Sequence, residues 1–145
     1  DKGAYGLMQL TSRMAVSLDV KDIFDPEQNI EGGTRFLREL YDHFDKASGS
    51  DRLFIAIAAY NIGLGHIWDA RDLARERNLD PNRWSSLVET LPLLMYYKYN
   101  KNTKHGYARG TEPVRYIKQI VIYYDILKHQ SIEYQAAIAS PRKEV

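Results

Sequence analysis

Three short segments of the chain carry polar side chains that packing alone does not explain. They read GAYGLMQL at residues 3–10, AAYNIG at residues 58–63 and EPVRY at residues 112–116. In the first, two glycines allow a close backbone approach and an amide follows, which we predict to lie on a helix. The second places Tyr and Asn at the end of an apolar helix. The third places a carboxylate in a first helical turn, with a Tyr one turn later.

The residue types in these segments suit a wet groove that binds sugars. Tyrosine is the outlier of the composition, with 11 of 145 residues, and it joins a flat apolar face to a hydroxyl. A purely structural explanation also exists for each segment: Gln9 as a solvated side chain, Asn61 as a helix C-cap, and Glu112 as a complement to the helix dipole. Most of the tyrosines would likewise be satisfied by packing at helix edges.

In this order and spacing, the segments resemble the catalytic domain of the lytic transglycosylases, the lysozyme-like enzymes of bacterial cell walls. The resemblance extends over nearly the whole chain and includes FDPEQNI at residues 24–30, followed by Gly33 and Leu37. The segments HIWDAR, LPLL and YARG, which begin at residues 66, 91 and 107, are similar to the membrane-bound lytic murein transglycosylase F group.

The resemblance implies an all-α, lysozyme-like domain of the goose-type lysozyme and soluble lytic transglycosylase kind, without its N-terminal helix. It implies that a single Glu protonates the glycosidic oxygen between N-acetylmuramic acid and N-acetylglucosamine. The same group then takes a proton from the muramoyl C6 hydroxyl, and a 1,6-anhydro ring closes without water. Six residues match substrate-binding positions of the family: Met8, Gln9, Tyr60, Asn61, Glu112 and Tyr116.

In the family, the catalytic Glu stands in a Glu-Ser motif on the helix before the segment that matches residues 3–10. We therefore expect it upstream of Asp1, with no catalytic residue in this chain and no lytic activity of the chain by itself. Pro113 stands where many transglycosylases have Thr, which leaves the roles of Glu112 and Tyr116 open. Two other functions stay open as well: a lysozyme-type hydrolase of the same fold, and a catalytically dead peptidoglycan-binding module.

The resemblance also implies where the parent protein works and what it meets. We expect a monomer that binds a peptidoglycan glycan strand in the periplasm, with a lipid anchor to the outer membrane and a solute-binding-like domain outside these residues. The balance of 20 Lys+Arg against 19 Asp+Glu argues against a nucleic-acid partner. We expect no cofactor and no metal, because cysteine is absent, the four histidines are scattered, and Pro81 interrupts the one calcium-like alternation of Asn and Asp.

The residues between the motifs predict helices, and no stretch alternates as a strand would. Asp25 and Pro26 predict a helix start, followed by an apolar stripe at Ile30, Gly33, Leu37, Leu40 and Phe44. Two glycines in that helix, Gly32 and Gly33, indicate close packing of another backbone. Ser50 is predicted to cap a second helix over residues 51–61, which is apolar on all sides and therefore lies in the core.

Further helices are predicted along the second half of the chain. One covers residues 66–77 with Ile67, Ala70, Leu73 and Ala74 inward, and a short one begins at Asp80. A loop is expected over residues 98–110, and Thr111 is predicted to cap a long helix with a stripe at Val114, Ile117, Val121, Tyr124 and Leu127. The domain is expected to span residues 1–135, with a polar C-terminal tail at residues 136–145.

Overall fold

The computed structural model describes the backbone of residues 3–139 and the side chains of residues 3–132. The described residues form a short hairpin followed by helices, so the predicted all-helical class is confirmed. The helices are α1 Ser12–Ser17, α2 Pro26–Asp42, α3 Gly49–Ile62, α4 Leu64–Glu76, α5 Trp84–Thr90, α6 Tyr97–Asn100 and α7 Thr111–Ala139, with a 3-10 helix at Leu91–Met95 before α6.

The hairpin is where the helical prediction was wrong. Strands β1 Ala4–Tyr5 and β2 Leu10–Thr11 pair antiparallel, with Ala4 opposite Thr11 and Tyr5 opposite Leu10. Gln9, expected on a helix, lies in the turn between them, and its backbone N–H donates to the Gly6 carbonyl at 3.1 Å. Strands of two residues are too short for any alternation to be visible in a sequence.

Helix α2 begins as predicted and packs against the hairpin. The Asp25 side chain accepts a hydrogen bond from the Gln28 backbone N–H at 2.8 Å, and Pro26 occupies the first turn. The two glycines face side chains rather than the backbone that we expected. A Cβ on Gly33 would lie 2.5 Å from Met8 Cβ, and one on Gly32 would lie 2.5 Å from Val20 Cγ2.

The core lies where α2, α3, α4, α5 and the 3-10 helix meet. Its largest fully buried side chains are Phe44, Ile55, Ile67, Leu87, Leu91 and Leu94. Of the predicted α2 stripe, Leu40 and Phe44 are buried but Ile30 is 43% exposed. The four inward residues predicted for α4 are all buried, as expected.

Two predicted helix starts and the predicted loop differ from the structure. Helix α3 begins at Gly49 with Ser48 as N-cap, so the predicted Ser50 cap is wrong. The short helix begins at Trp84 rather than Asp80, because the Asp80 carboxylate instead accepts from the Asn82 backbone N–H in a turn. The predicted loop is partly helical, since it contains most of α6.

Among the described side chains of helix α7, those near its start pack on the core. Ile117 is buried and Val114 packs against the core, but Val121, Tyr124 and Leu127 are exposed. The helical backbone continues to Ala139, and the rest of the predicted tail, residues 140–145, lies outside the described residues. Within the part of the chain that the structure describes, no helix is long and apolar enough to cross a membrane.

Candidate active site

An open cavity of about 520 Å³ lies between the hairpin, α2, α3 and α7. Five of the six predicted substrate-binding residues line it: Met8, Gln9, Tyr60, Asn61 and Tyr116. Apolar side chains of Leu7, Leu37, Ile57 and Ile120 complete much of the wall. Residues from three distant segments of the sequence therefore face one space.

Tyr60 joins the end of α3 to the hairpin. Its hydroxyl donates to the Met8 carbonyl at 2.7 Å, and its ring lies 5.3 Å from that of Phe36, between centroids. Burial, and to a smaller extent the neighbouring Tyr116, raises the pKa of Tyr60 above its ordinary value of 10.0. The hydroxyl therefore stays protonated at neutral pH, so it donates to Met8 and keeps an oxygen lone pair for a ligand.

Gln9 is held in an unusual backbone conformation at the cavity wall. Its φ of 50° lies in the left-handed region, which costs a residue other than glycine about 1–2 kcal/mol. Its side-chain amide folds back on the turn, where Nε2 donates to the Gly6 carbonyl at 2.9 Å. Strained residues of this kind persist where surrounding contacts hold them, and they concentrate at functional sites.

Asn61 and Tyr116 present polar groups from the two helices across the cavity. Asn61 is exposed and is not the C-cap of α3, because that position is taken by Gly63, whose N–H bonds to the Ala59 carbonyl at 2.9 Å. The cap explanation for Asn61 is therefore wrong. Tyr116 is 40% exposed on the first half of α7, so its ring and hydroxyl are accessible from the cavity.

Comparison with known proteins identifies the family of the chain. The model of the family described as Transglycosylase SLT domain matches residues 1–82, more than half of the chain. The chain belongs to the SLT transglycosylase domain family. The resemblance stated from the sequence, with its lysozyme-like helical fold, is thereby confirmed.

Three individual proteins are similar to most of this chain. The chain is 50% identical over 129 residues to the membrane-bound lytic murein transglycosylase F of Desulfosudis oleivorans, covering 88% of this chain and 28% of that protein. It is 45% identical to the membrane-bound lytic murein transglycosylase F 2 of Alkalilimnicola ehrlichii, covering 87% and 28%. A protein named membrane-bound lytic murein transglycosylase F from Pseudomonas putida is 43% identical, covering 86% and 26%. This SLT domain thus spans little more than a quarter of the length of these relatives.

Glu112 is the predicted substrate-binding residue that does not line the cavity of this SLT domain. It is exposed in the first turn of α7, and its carboxylate lies 3.5 Å from Arg109 Nη1. One helical turn, about 6 Å along the axis, separates it from Tyr116. The cavity-lining side chains within the described residues include no carboxylate.

Sequence reasoning missed Asn29, whose side chain is fully buried beside the turn that carries Met8 and Gln9. Its Oδ1 accepts from the Met8 backbone N–H at 2.7 Å, and its Nδ2 donates to the carbonyls of Tyr5 and Ile23 at 3.1 and 2.9 Å. The available signal was an Asn within the first turns of an amphipathic helix, at a position that faces the core.

A second group of titratable residues lies away from the cavity. The buried carboxylate of Asp69 accepts from the backbone N–H groups of Lys104 and His105, and from the His105 ring at 3.1 Å. His66 Nδ1 lies 3.9 Å from the same carboxylate. Burial lowers the pKa of His66 below its ordinary value, although Asp69 opposes the shift. These contacts tie the segment before α7 to α4.

Proposed function

We propose that this SLT domain forms the substrate groove of a lytic transglycosylase that cleaves peptidoglycan. The proposal rests on one observation above all: Met8, Gln9, Tyr60, Asn61 and Tyr116 line a single cavity although they come from three separate segments. The names of the relatives, which are membrane-bound lytic murein transglycosylases, agree with it.

The reaction that we propose breaks the β-1,4 bond between N-acetylmuramic acid and N-acetylglucosamine without water. A carboxylic acid protonates the glycosidic oxygen as the bond from the muramoyl C1 breaks. The C6 hydroxyl of the same sugar attacks C1 and returns its proton to the carboxylate, so a 1,6-anhydro ring forms and the acid is regenerated. Most glycosidases need two carboxylates, whereas one suffices when the substrate supplies its own nucleophile.

We propose that the acid is a Glu upstream of Asp1 in the parent protein, because no carboxylate lines the described cavity. The residues of this chain would then bind and orient the reacting sugar. Tyr60 and Gln9 offer hydroxyl and amide groups, and apolar residues such as Leu7 and Ile57 limit water at the wall. Holding the sugar in the reactive geometry is a large part of catalysis in such a site. Glu112 stays a predicted substrate contact.

The proposed function also implies a binding partner and a cellular location. The partner is a peptidoglycan glycan strand, and the parent protein works in the periplasm, attached to the outer membrane by parts outside these residues. The names of the relatives describe them as membrane-bound, which agrees with attachment of the parent protein to a membrane.

Digestion of purified sacculi by the parent protein tests the proposal. Mass spectrometry of the soluble products should find 1,6-anhydromuramoyl ends. Reducing muramoyl ends in their place would indicate a lysozyme-type hydrolase, and sacculus binding without any cleavage would indicate a binding module. Either result contradicts the proposal.

Two proteins test where the catalytic acid lies: a variant of the parent protein and the isolated SLT domain. Replacement of the upstream Glu by Gln should abolish cleavage, because proton transfer of this kind contributes about 10²–10⁴-fold. The isolated SLT domain should release no measurable product. Clearance by the isolated chain at the rate of the parent protein would place the acid within these residues instead.

A further inference from the structure

The carboxamide of Asn29 is hydrogen-bonded to backbone atoms of the hairpin and of the loop before α2. Oδ1 accepts from Met8 N, and Nδ2 donates to the carbonyls of Tyr5 and Ile23. A primary amide has two donor hydrogens and an acceptor oxygen, so both ends of the group are occupied. Since the side chain is fully buried, an unmatched polar atom here would be costly.

The peptide groups on both sides of Met8 are thereby bound by side chains of two different helices. Asn29 of α2 holds the Met8 N–H, and Tyr60 of α3 holds the Met8 carbonyl, each at 2.7 Å. Met8 and Gln9 both line the cavity, and Gln9 keeps its left-handed φ directly after this doubly bound residue. A strained conformation needs such surrounding contacts to persist.

The turn also packs tightly against the Asn29 carboxamide at Gly6. Gly6 has a φ of 71°, and any Cβ placed on it would overlap the Asn29 carboxamide. The turn therefore approaches Asn29 as closely as a backbone can. Small displacements of this carboxamide would be passed directly to the turn.

We propose that Asn29 is a positioning residue that fixes Met8 and Gln9 at the groove wall without touching the glycan itself. The proposal rests on the proposed function for its catalytic consequence, since it assigns Asn29 an effect on cleavage. Its structural part, the holding of the turn, is independent of that function.

The experiment compares variants of the full-length parent protein. Asn29→Ala removes all three bonds. Asn29→Asp keeps an acceptor for Met8 N–H but turns a carboxylate toward the carbonyls of Tyr5 and Ile23. Asn100 is the matched control, because it is also a buried Asn and donates to a backbone carbonyl, that of Leu94 at 3.0 Å, but this partner, unlike Met8, does not line the cavity.

Two readouts are measured together: hydrogen exchange of the segment 3–11 by mass spectrometry, and the rate of sacculus cleavage. We expect both Asn29 variants to exchange faster in segment 3–11 while α3 stays protected. Cleavage should fall at least about tenfold, since a small misplacement of binding groups can cost on the order of 10²-fold. The Asn100→Ala and Asn100→Asp proteins should match the wild type in both readouts.

The pH profile separates positioning from general destabilisation. A protonated carboxyl both accepts one hydrogen bond and donates another, so it can replace part of what the amide does. Burial raises the pKa of such a carboxyl. The cleavage rate of Asn29→Asp, divided by that of the wild type, should therefore rise as pH is lowered from about 8 to about 5. The same ratio for Asn29→Ala should stay flat.

The outcomes distinguish this proposal from the proposed function. Faster exchange in segment 3–11 with unchanged cleavage, or unchanged exchange in that segment, overturns the positioning role. If the wild-type parent cleaves nothing, the proposed function fails, and exchange in segment 3–11 still decides whether Asn29 holds the turn. Should Asn29→Ala and Asn29→Asp not fold, the longer amide of Asn29→Gln moves the same donor and acceptor relative to the turn and is judged by the same readouts.

Discussion

Replacing Tyr60 by Phe tests whether this side chain serves the groove or only the core. The change removes one hydroxyl, which donates to the Met8 carbonyl at 2.7 Å, and it leaves the ring against Phe36. The Met8 carbonyl loses its side-chain partner, but it lies near an open cavity where water can replace the bond. The substitution therefore removes one hydrogen bond, one of the two by which side chains hold Met8, and leaves the apolar packing intact.

The magnitude follows from that single bond. A typical intramolecular hydrogen bond contributes about 1 kcal/mol to stability, which lowers the melting temperature of a domain of this size by roughly 2–4 °C. Cleavage by the parent protein should fall more, by about tenfold or greater, because the proposed function places the reacting sugar in the cavity that Tyr60 lines. Tenfold in rate corresponds to about 1.4 kcal/mol in the activation free energy.

The assay combines thermal unfolding with product release from sacculi, normalised to folded protein. Tyr41→Phe is the control, because the Tyr41 ring packs beneath Arg52, 4.0 Å from its guanidinium carbon, outside the cavity lining. That variant should keep normal cleavage. A Tyr60→Phe protein that unfolds readily but turns over normally would show that Tyr60 is a core residue and would refute the reasoning.

Three further changes test other parts of the structure. Gly33→Ala adds a methyl group 2.5 Å from Met8 Cβ, so sacculus cleavage should fall about tenfold, although Ala favours a helix by about 1 kcal/mol. The control is Gly32→Ala, whose methyl group meets a side chain outside the cavity lining and which should cleave normally. Equal losses of cleavage rate in the two variants would contradict this prediction. Burial holds the pKa of His66 below 6.5, so the unfolded chain takes up the proton first, and stability should fall as pH drops through about 6.5 and level off below the folded pKa. Urea unfolding at several pH values should show that slope reduced in His66→Gln, and an unchanged slope would exclude His66 as its source. Glu112→Gln should change the free energy of unfolding by less than about 0.5 kcal/mol, because its ion pair with Arg109 is exposed; a larger loss in chemical denaturation would reveal a contact beyond that pair.

The sequence predicted the buried face of α4 correctly because its signal is local. Ile67, Ala70, Leu73 and Ala74 recur at helical spacing, and all four are buried in α4. Helix starts were harder to predict: α3 has Ser48 at its N-cap position, but the Ser48 side chain makes no capping hydrogen bond. The residue types alone therefore do not choose between Ser48 and Ser50.

The hairpin could not be predicted from local pattern, because distant residues determine it. The GLMQL run has apolar spacing compatible with a helix, but its backbone is bonded to side chains of α2 and α3. Recognition of the family located Met8, Gln9, Tyr60, Asn61 and Tyr116, which the structure brings to one cavity. Asn29 was quoted within FDPEQNI but not predicted as a site residue, because a polar residue on the core-facing side of a helix does not show which backbone groups it bonds.

The hairpin also has a consequence for the order of folding. Its strands have two residues each, and an isolated hairpin of that size is not stable in water. Its turn is held by bonds to residues 21 and 52 positions further along the chain, so it becomes ordered only after α2 and α3 have docked. Substitutions in the turn should therefore accelerate unfolding while leaving the folding rate nearly unchanged. The helical framework of this SLT domain can thus assemble before its groove wall exists.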